Sequence, residues 1–292
     1  FNVFIGTKNQ MNNPLETYFR QPSIYITLPS GGTFWPEGSI DMGDNNEIAV
    51  YPMTARDEII MKTPDALLSG KSTVEVIKSC CPQIKDPWMM PTLDLDTVLI
   101  AIRIASYGEQ MAVSTEIPVT KTRLDTEINL VDALDRIDKS KPDTTVLLSS
   151  GLELTLRPTT YKVMTQLALR VFDEQKMVQT VQDSTLSEDE KTAKYTETFN
   201  KVANYSVDEM LDCIVSIKTP DEEVIAEPGY IKEFVNNIDL ATAKQIRDRI
   251  NSIKQHGILK PFIASSTEED IKAGAPETFE VPIAFDNTVF FA

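Results

Sequence analysis

The chain has 292 residues, 41% hydrophobic and 25% charged, enough length and apolar content to bury a sizeable core and too much for a disordered chain. Its 28 basic and 44 acidic side chains leave a formal net charge of −16, which argues against direct contact with nucleic acid or anionic membranes. No stretch approaches the roughly 20 apolar residues of a membrane helix, and Arg103 interrupts the most apolar run, 98–105. Cys80, Cys81 and Cys213 are too few, and odd in number, for a disulfide framework, and they fit a reducing compartment. The opening FNVFIGTKNQMNN lacks the pattern of a secretory signal. It also lacks an initiator Met, so residues before Phe1 are expected to be missing or removed.

Ile24, Ile26 and Leu28 alternate, which predicts a strand over 23–29 stopped by Pro29 and a Gly31-Gly32 turn. A second strand follows at 47–51 and ends at Pro52. Ser72 and Glu75 have capping-box spacing, and Val74, Ile77 and Cys81 continue at helical intervals up to Pro82. Cys80 and Cys81 read as small buried hydrophobes near that helix end. Asp94 is placed to cap the next helix, with Gly108 just past its end. Leu95, Val98, Leu99 and Ile102 form one stripe and Ile100 and Ile104 lie opposite, the pattern of a helix buried all round. Strands at 110–119 and 126–131 flank a polar KTRLD turn, and 144–148 with 152–156 form a hairpin around Ser149-Ser150-Gly151.

After Pro158 the pattern turns helical. Residues 160–181 place Met164, Leu167, Ala168 and Val171 on one face. Two capping boxes, Ser187 with Glu190 and Ser206 with Glu209, open the stripes Tyr195, Phe199, Val202 and Met210, Leu211, Ile214. Pro228 suits a first helical position before Ile231, Phe234 and Val235. Ala243, Ile246, Ile250 and Ile253 mark a last helix, stopped at Gly257. Phe279, Val281, Ile283 and Phe285 alternate in a closing strand over 278–285 that returns to a sheet, with Pro282 suggesting an edge. The fold class is α+β: small antiparallel sheets from the first half and the C-terminal strand, with a mostly helical second half. The divisions are an α+β region at 1–157, a helical region at 158–257, and a C-terminal loop and strand at 258–292.

Candidate chemistry is sparse. Ser69-Gly70-Lys71-Ser72-Thr73 has the ending of a phosphate loop, but Asp65 stands where the first glycine belongs, and its carboxylate would repel phosphate. A turn and helix N-terminus is the better reading. His256, the single histidine, sits at a helix end, where the dipole favours it. Cysteine and histidine spacings match no metal site, and the plentiful carboxylates read as solvated surface. Arg103, inside a buried helix, calls for a carboxylate from Asp65, Asp86 or Glu58, or else anchors a partner. Trp35 and Trp88 lie in Pro-rich loops, and a basic cluster of Lys244, Arg247, Arg249, Lys254, His256 and Lys260 stands out from the acidic background. Arg103, Trp35, Trp88, Arg247, Arg249 and Lys254 are therefore the structural or interface candidates. No catalytic, cofactor-binding or metal-binding residue is expected.

One ordered set of segments carries a resemblance: LPSGG at 28–32, VYPMTARDE at 50–58, PDALLSG at 64–70, KSC at 78–80, AIRIASYG at 101–108 and FDNTVFF at 285–291. In that order they resemble the baseplate hub proteins of T4-type contractile-tailed bacteriophages, over most of residues 18–135. The resemblance implies a non-enzymatic structural subunit of the tail baseplate in its hub region, acting through protein interfaces in virion assembly. The alternative is an assembly chaperone that leaves before the particle matures. It also implies other hub, wedge or tail-tube subunits as partners, several symmetry-related copies, and a place in the virion after assembly in the host cytoplasm. Neither nucleic acid nor membrane insertion is expected. Loop 31–46 and the segments 1–20 and 258–277 are the candidate contact segments. The resemblance implies relatives that often carry two C-x2-C pairs, which together would make a four-cysteine zinc site. Here Ile117-Pro118-Val119-Thr120 holds the first position and residues 263–274 the second, so the expectation is a zinc-free variant cross-linked by apolar contacts.

Overall fold

The computed structural model describes residues 13–63, 70–182, 187–283 and 290. Asp65, most of the segment 64–70, and the tail from 284 onward apart from Phe290 lie outside the described residues, as do residues 1–12 of the N-terminal contact segment.

Strand β1 (Ile24–Ile26) pairs antiparallel with β2 (Ile48–Val50), Ile24 facing Val50 and Ile26 facing Ile48. Helix α1 (Ala55–Met61) opens on a capping box of Thr54 and Asp57. Helix α2 (Lys71–Cys80) follows, and α3 (Thr92–Tyr107) ends at Gly108 with φ of 89°. A ribbon of β3 (Gln110–Glu116) and β4 (Arg123–Asn129) leads into α4 (Leu130–Asp135). The strands β5 (Thr145–Leu147) and β6 (Glu153–Leu156) form the expected hairpin. Two long helices, α5 (Tyr161–Gln182) and α6 (Glu188–Cys213), run back to back before β7 (Ile214–Lys218) and β8 (Val224–Ile225). Then come α7 (Pro228–Asn237), α8 (Leu240–Lys254), β9 (Phe262–Ser265), α9 (Glu268–Lys272) and β10 (Thr278–Val281).

Three apolar cores organise these elements. In the first, α3 is the central rod: Val98, Ile100, Ala101 and Ile102 are fully buried on all its sides, as the all-round apolar pattern predicts. Ile48 and Val50 from the hairpin, Val76 and Ile77 from α2, and Leu130 from α4 surround it, with Phe290 sealed among them. The second core lies under the four-stranded sheet β5-β6-β7-β8 and takes Ile246, Ile250 and Ile253 from α8 and Ile231 and Val235 from α7. That sheet spans the expected boundary between 157 and 158. The third is small: Ile117 at the tip of the ribbon packs with Ala264, Ala275, Phe279 and Val281.

Several expectations are corrected. Gly70, in the left-handed conformation, precedes α2, and Ser72 is buried inside the helix instead of capping it. A Cβ at Gly70 would stand 2.9 Å from Thr165 Cγ2 and 3.0 Å from the Tyr161 hydroxyl, so packing against α5 sets that helix start. Helix α3 begins at Thr92 after Pro91, which leaves Asp94 inside the first turn, fully buried and drawn to other partners. Ser206 lies within α6, because no breaker interrupts the chain between Ser187 and Cys213. The closing strand pairs antiparallel, but with β9, in a stretch read as loop, and it meets the first half through side chains of the third core.

Candidate functional site

Two buried carboxylates organise the first core. Asp94 Oδ1 accepts the Ser30 amide at 2.8 Å, and Oδ2 accepts the Ser30 hydroxyl at 2.6 Å and the Trp35 indole N–H at 2.8 Å. Burial pushes its pKa up to about 6, against the pull of these donors. The carboxylate thus pins the LPSGGTFW loop onto α3, and Trp35 faces inward as part of that fixture. Asp57 Oδ2 accepts from the Thr54 amide at 2.8 Å, the Thr54 hydroxyl at 2.7 Å and the Ser79 hydroxyl at 2.8 Å. Arg20 lies 3.6 Å from the same oxygen, donates to the Ser79 carbonyl at 2.7 Å and to the Pro52 carbonyl, and sits over the Tyr51 ring. It straps the N-terminal segment to the core and leaves Leu15, Tyr18 and Phe19 exposed.

Among the described residues, the segments 28–32, 50–58, 78–80 and 101–108 that carried the resemblance meet here. The Tyr51 amide donates to the Cys80 carbonyl at 2.8 Å, and the Met53 amide to the Ser106 hydroxyl at 2.9 Å. Their order along the chain is the order of parts in one core.

The remaining candidates separate. Arg103 is 7% exposed and forms no ion pair among the described residues, contrary to the expected carboxylate partner at Asp86 or Glu58. Its Nε donates to the Phe290 carbonyl at 2.8 Å and its guanidinium lies 4.6 Å from the Tyr107 ring centre, so it secures its own chain's tail. Burial lowers its pKa. Trp88 is half-buried and stacks on Tyr161 at 5.7 Å. Arg249 pairs with Asp143 at 2.6 Å and Lys254 with Glu209 at 2.6 Å, and His256 approaches Asp138 at 3.3 Å. Three of the six members of the basic cluster are therefore spent on internal contacts. Arg247 is half-buried with no ion pair among the described residues, and Lys244 and Lys260 are exposed.

At the ribbon tip, Asp270 accepts from the Thr122 hydroxyl at 2.7 Å and from the Thr267 hydroxyl. The hydroxyls of Thr267, Thr122 and Thr120 hold its carboxyl below the usual range. Residues 117–120 and 263–274 contain neither cysteine nor histidine, so this junction does not fit a four-cysteine zinc site. At this junction the apolar cluster around Ile117 adjoins a carboxylate shared by threonines.

A family model described as T4 bacteriophage base plate protein matches residues 22–272, most of the chain. The chain belongs to that family. Comparison with curated proteins and with solved structures finds no match. For this baseplate protein the match covers the second core, the long helical pair and all of the first core but Phe290, and it ends before Ala275, Phe279 and Val281 of the third. Family membership implies contact with other phage baseplate proteins and a place in the tail. No described helix is long and apolar enough to cross a membrane.

Asp57 and Asp270 are not singled out by the sequence, and Asp94 is singled out only as a helix cap. Thr54-x-x-Asp57 has the spacing of a cap and was open to recognition. The partners of Asp94 lie 59 and 64 residues away and those of Asp270 up to 148, beyond any local pattern.

Proposed function

We propose that this baseplate protein is a non-enzymatic structural subunit of the hub region, working through protein interfaces during virion assembly in the host cytoplasm and in the finished tail. The observation that carries this reading is where its polar chemistry goes. Asp57, Asp94, Arg20 and Arg103 are each occupied in fastening one segment of the chain to another. Apolar side chains, by contrast, face outward at Leu15, Tyr18, Phe19, Tyr25 and Phe172. A protein so arranged offers surfaces to neighbours, and the energy of assembly is spread over them. Hub, wedge and tail-tube subunits are the partners in this reading, and no resident zinc is needed at the ribbon tip.

The test is quantitative mass spectrometry of purified particles, with this chain counted against a tail subunit of fixed copy number. A constant count of a few copies per particle supports a built-in subunit. Abundance in infected-cell lysate with absence from particles overturns that reading in favour of an assembly chaperone. Elemental analysis of the purified chain tests the metal statement, which one zinc per chain would sink.

A further inference from the structure

The helices α5 and α6 outrun the cores that root them. Tyr161 belongs to the first core and Met210 and Cys213 to the second, but among the described residues none between Lys162 and Ser206 belongs to any of the three. At 1.5 Å per residue, the span 166–182 of α5 makes an arm about 25 Å long. Its two helices are held to each other by ties across the seam: Arg170 to Asp208 at 3.0 Å, Lys201 to Glu174 at 3.8 Å, and Tyr205 to Glu174 at 3.4 Å. The same antiparallel register sets Val181 opposite Thr198, and both are buried.

Two helices can bury only one stripe each against the other, and α5 carries a second. Met164, Ala168 and Phe172 are spaced four apart on one flank of the seam and exposed, Met164 at 36% and Phe172 at 45%. Met177, at 44%, lies on the opposite flank. Helical pairs of this kind gain their stability from further packing. The charges say which surface fits. Helix α5 has three basic and two acidic side chains, whereas α6 has three basic and seven acidic. In a chain of net charge −16, α5 is a surface on which another α6 can lie without like-charge repulsion.

We propose that the arm pairs with the arm of a second copy of this chain about a two-fold axis, α5 of each against α6 of the other, forming a four-helix bundle sealed by Ala168 and Phe172, with Met164 at its root. A face about 25 Å by 20 Å on each copy gives roughly 1,000 Å² in total, the size at which specific interfaces begin. The pairing goes beyond a role in the baseplate and is measured on the purified chain, so it stands or falls apart from whether the protein stays in the particle.

Sedimentation velocity over a concentration series is the test, with circular dichroism as the check on folding. The expected result is a concentration-dependent dimer, weakened at least tenfold by Phe172→Asp and left unchanged by Met177→Glu on the other flank. Ala168→Glu provides a second break if Phe172→Asp loses helicity. A monomer at every concentration overturns the proposal. So does a dimer that folded Phe172→Asp and Ala168→Glu leave intact, or one that Met177→Glu disrupts equally.

Discussion

The core around α3 and the arm of α5 and α6 solve opposite problems. The core has apolar surface to spare and takes carboxylates inside, each saturated with donors from distant segments. The arm has one narrow seam, ties it with partly exposed ion pairs, and leaves an apolar flank in solvent. Buried, donor-saturated charge makes an arrangement hard to alter, because each lost acceptor strands several donors. Exposed pairs hold weakly and leave a surface free for others. Rigidity is thus concentrated where the family's segments meet, and adhesiveness where they do not.

The largest break in that comparison is expected from Phe290→Ala. It empties a fully buried site in the first core and costs about 4 kcal/mol in denaturant unfolding, in the range of other buried aromatic truncations. Asp94→Ala follows at about 3 kcal/mol: it orphans the Ser30 amide and hydroxyl and the Trp35 indole, less the relief of removing a desolvated carboxyl. Gly257→Ala comes next, at about 2 kcal/mol or more. Gly257 has φ of 72°, and a Cβ there would stand 1.8 Å from the Leu93 carbonyl, so the end of α8 must shift away from α3. Arg170→Ala in the arm should cost under about 1 kcal/mol, the scale of an exposed pair. A loss as large as that at Asp94 would remove the distinction between the two regions.

Acid sharpens the contrast among carboxylates. The folded-state pKa of Asp94 is raised to about 6, so the folded chain binds the extra proton and this group's contribution declines as pH rises from about 4 to 6. The penalty of Asp94→Asn, measured by unfolding midpoints, should therefore be larger at pH 4 than at pH 7. Asp270 has the opposite sign: its pKa is depressed, so its contribution is present above the ordinary carboxylate range and is lost as pH falls through its folded pKa. Protection factors of the Ile117 and Lys121 amides, taken relative to the intrinsic exchange rate at each pH, should fall first on acidification, and Asp270→Asn should abolish that acid dependence.

Much of this is readable from the residues alone where periodicity and a single residue type decide the outcome. The apolar sides of α3, Pro228 at the start of α7 and the Ser187–Glu190 capping box all stand as expected. Identical local signals mislead where a distant neighbour intervenes. Ser72 and Glu75 have the same spacing as Ser187 and Glu190, yet Tyr161 and Thr165 crowd Gly70 and fix the helix start ahead of them. Asp94 has the look of a cap because Ser30 and Trp35 are too remote in sequence to be assigned to it. Strand β9 is four residues long and carries no pattern strong enough to separate it from a loop. Arg103 reads correctly as buried and in need of a partner, but a backbone carbonyl 187 residues away leaves no trace in composition or spacing.

That last contact bears on the order of events at the ribosome. Phe290 fills the first core and its carbonyl receives Arg103, so the core built around α3 stays unplugged until translation has passed residue 290. A chain terminated before that residue would carry an intact α3 with an open socket beside it. Closure of the core is thereby a late step, taken only after both long helices and the whole second core have been synthesised.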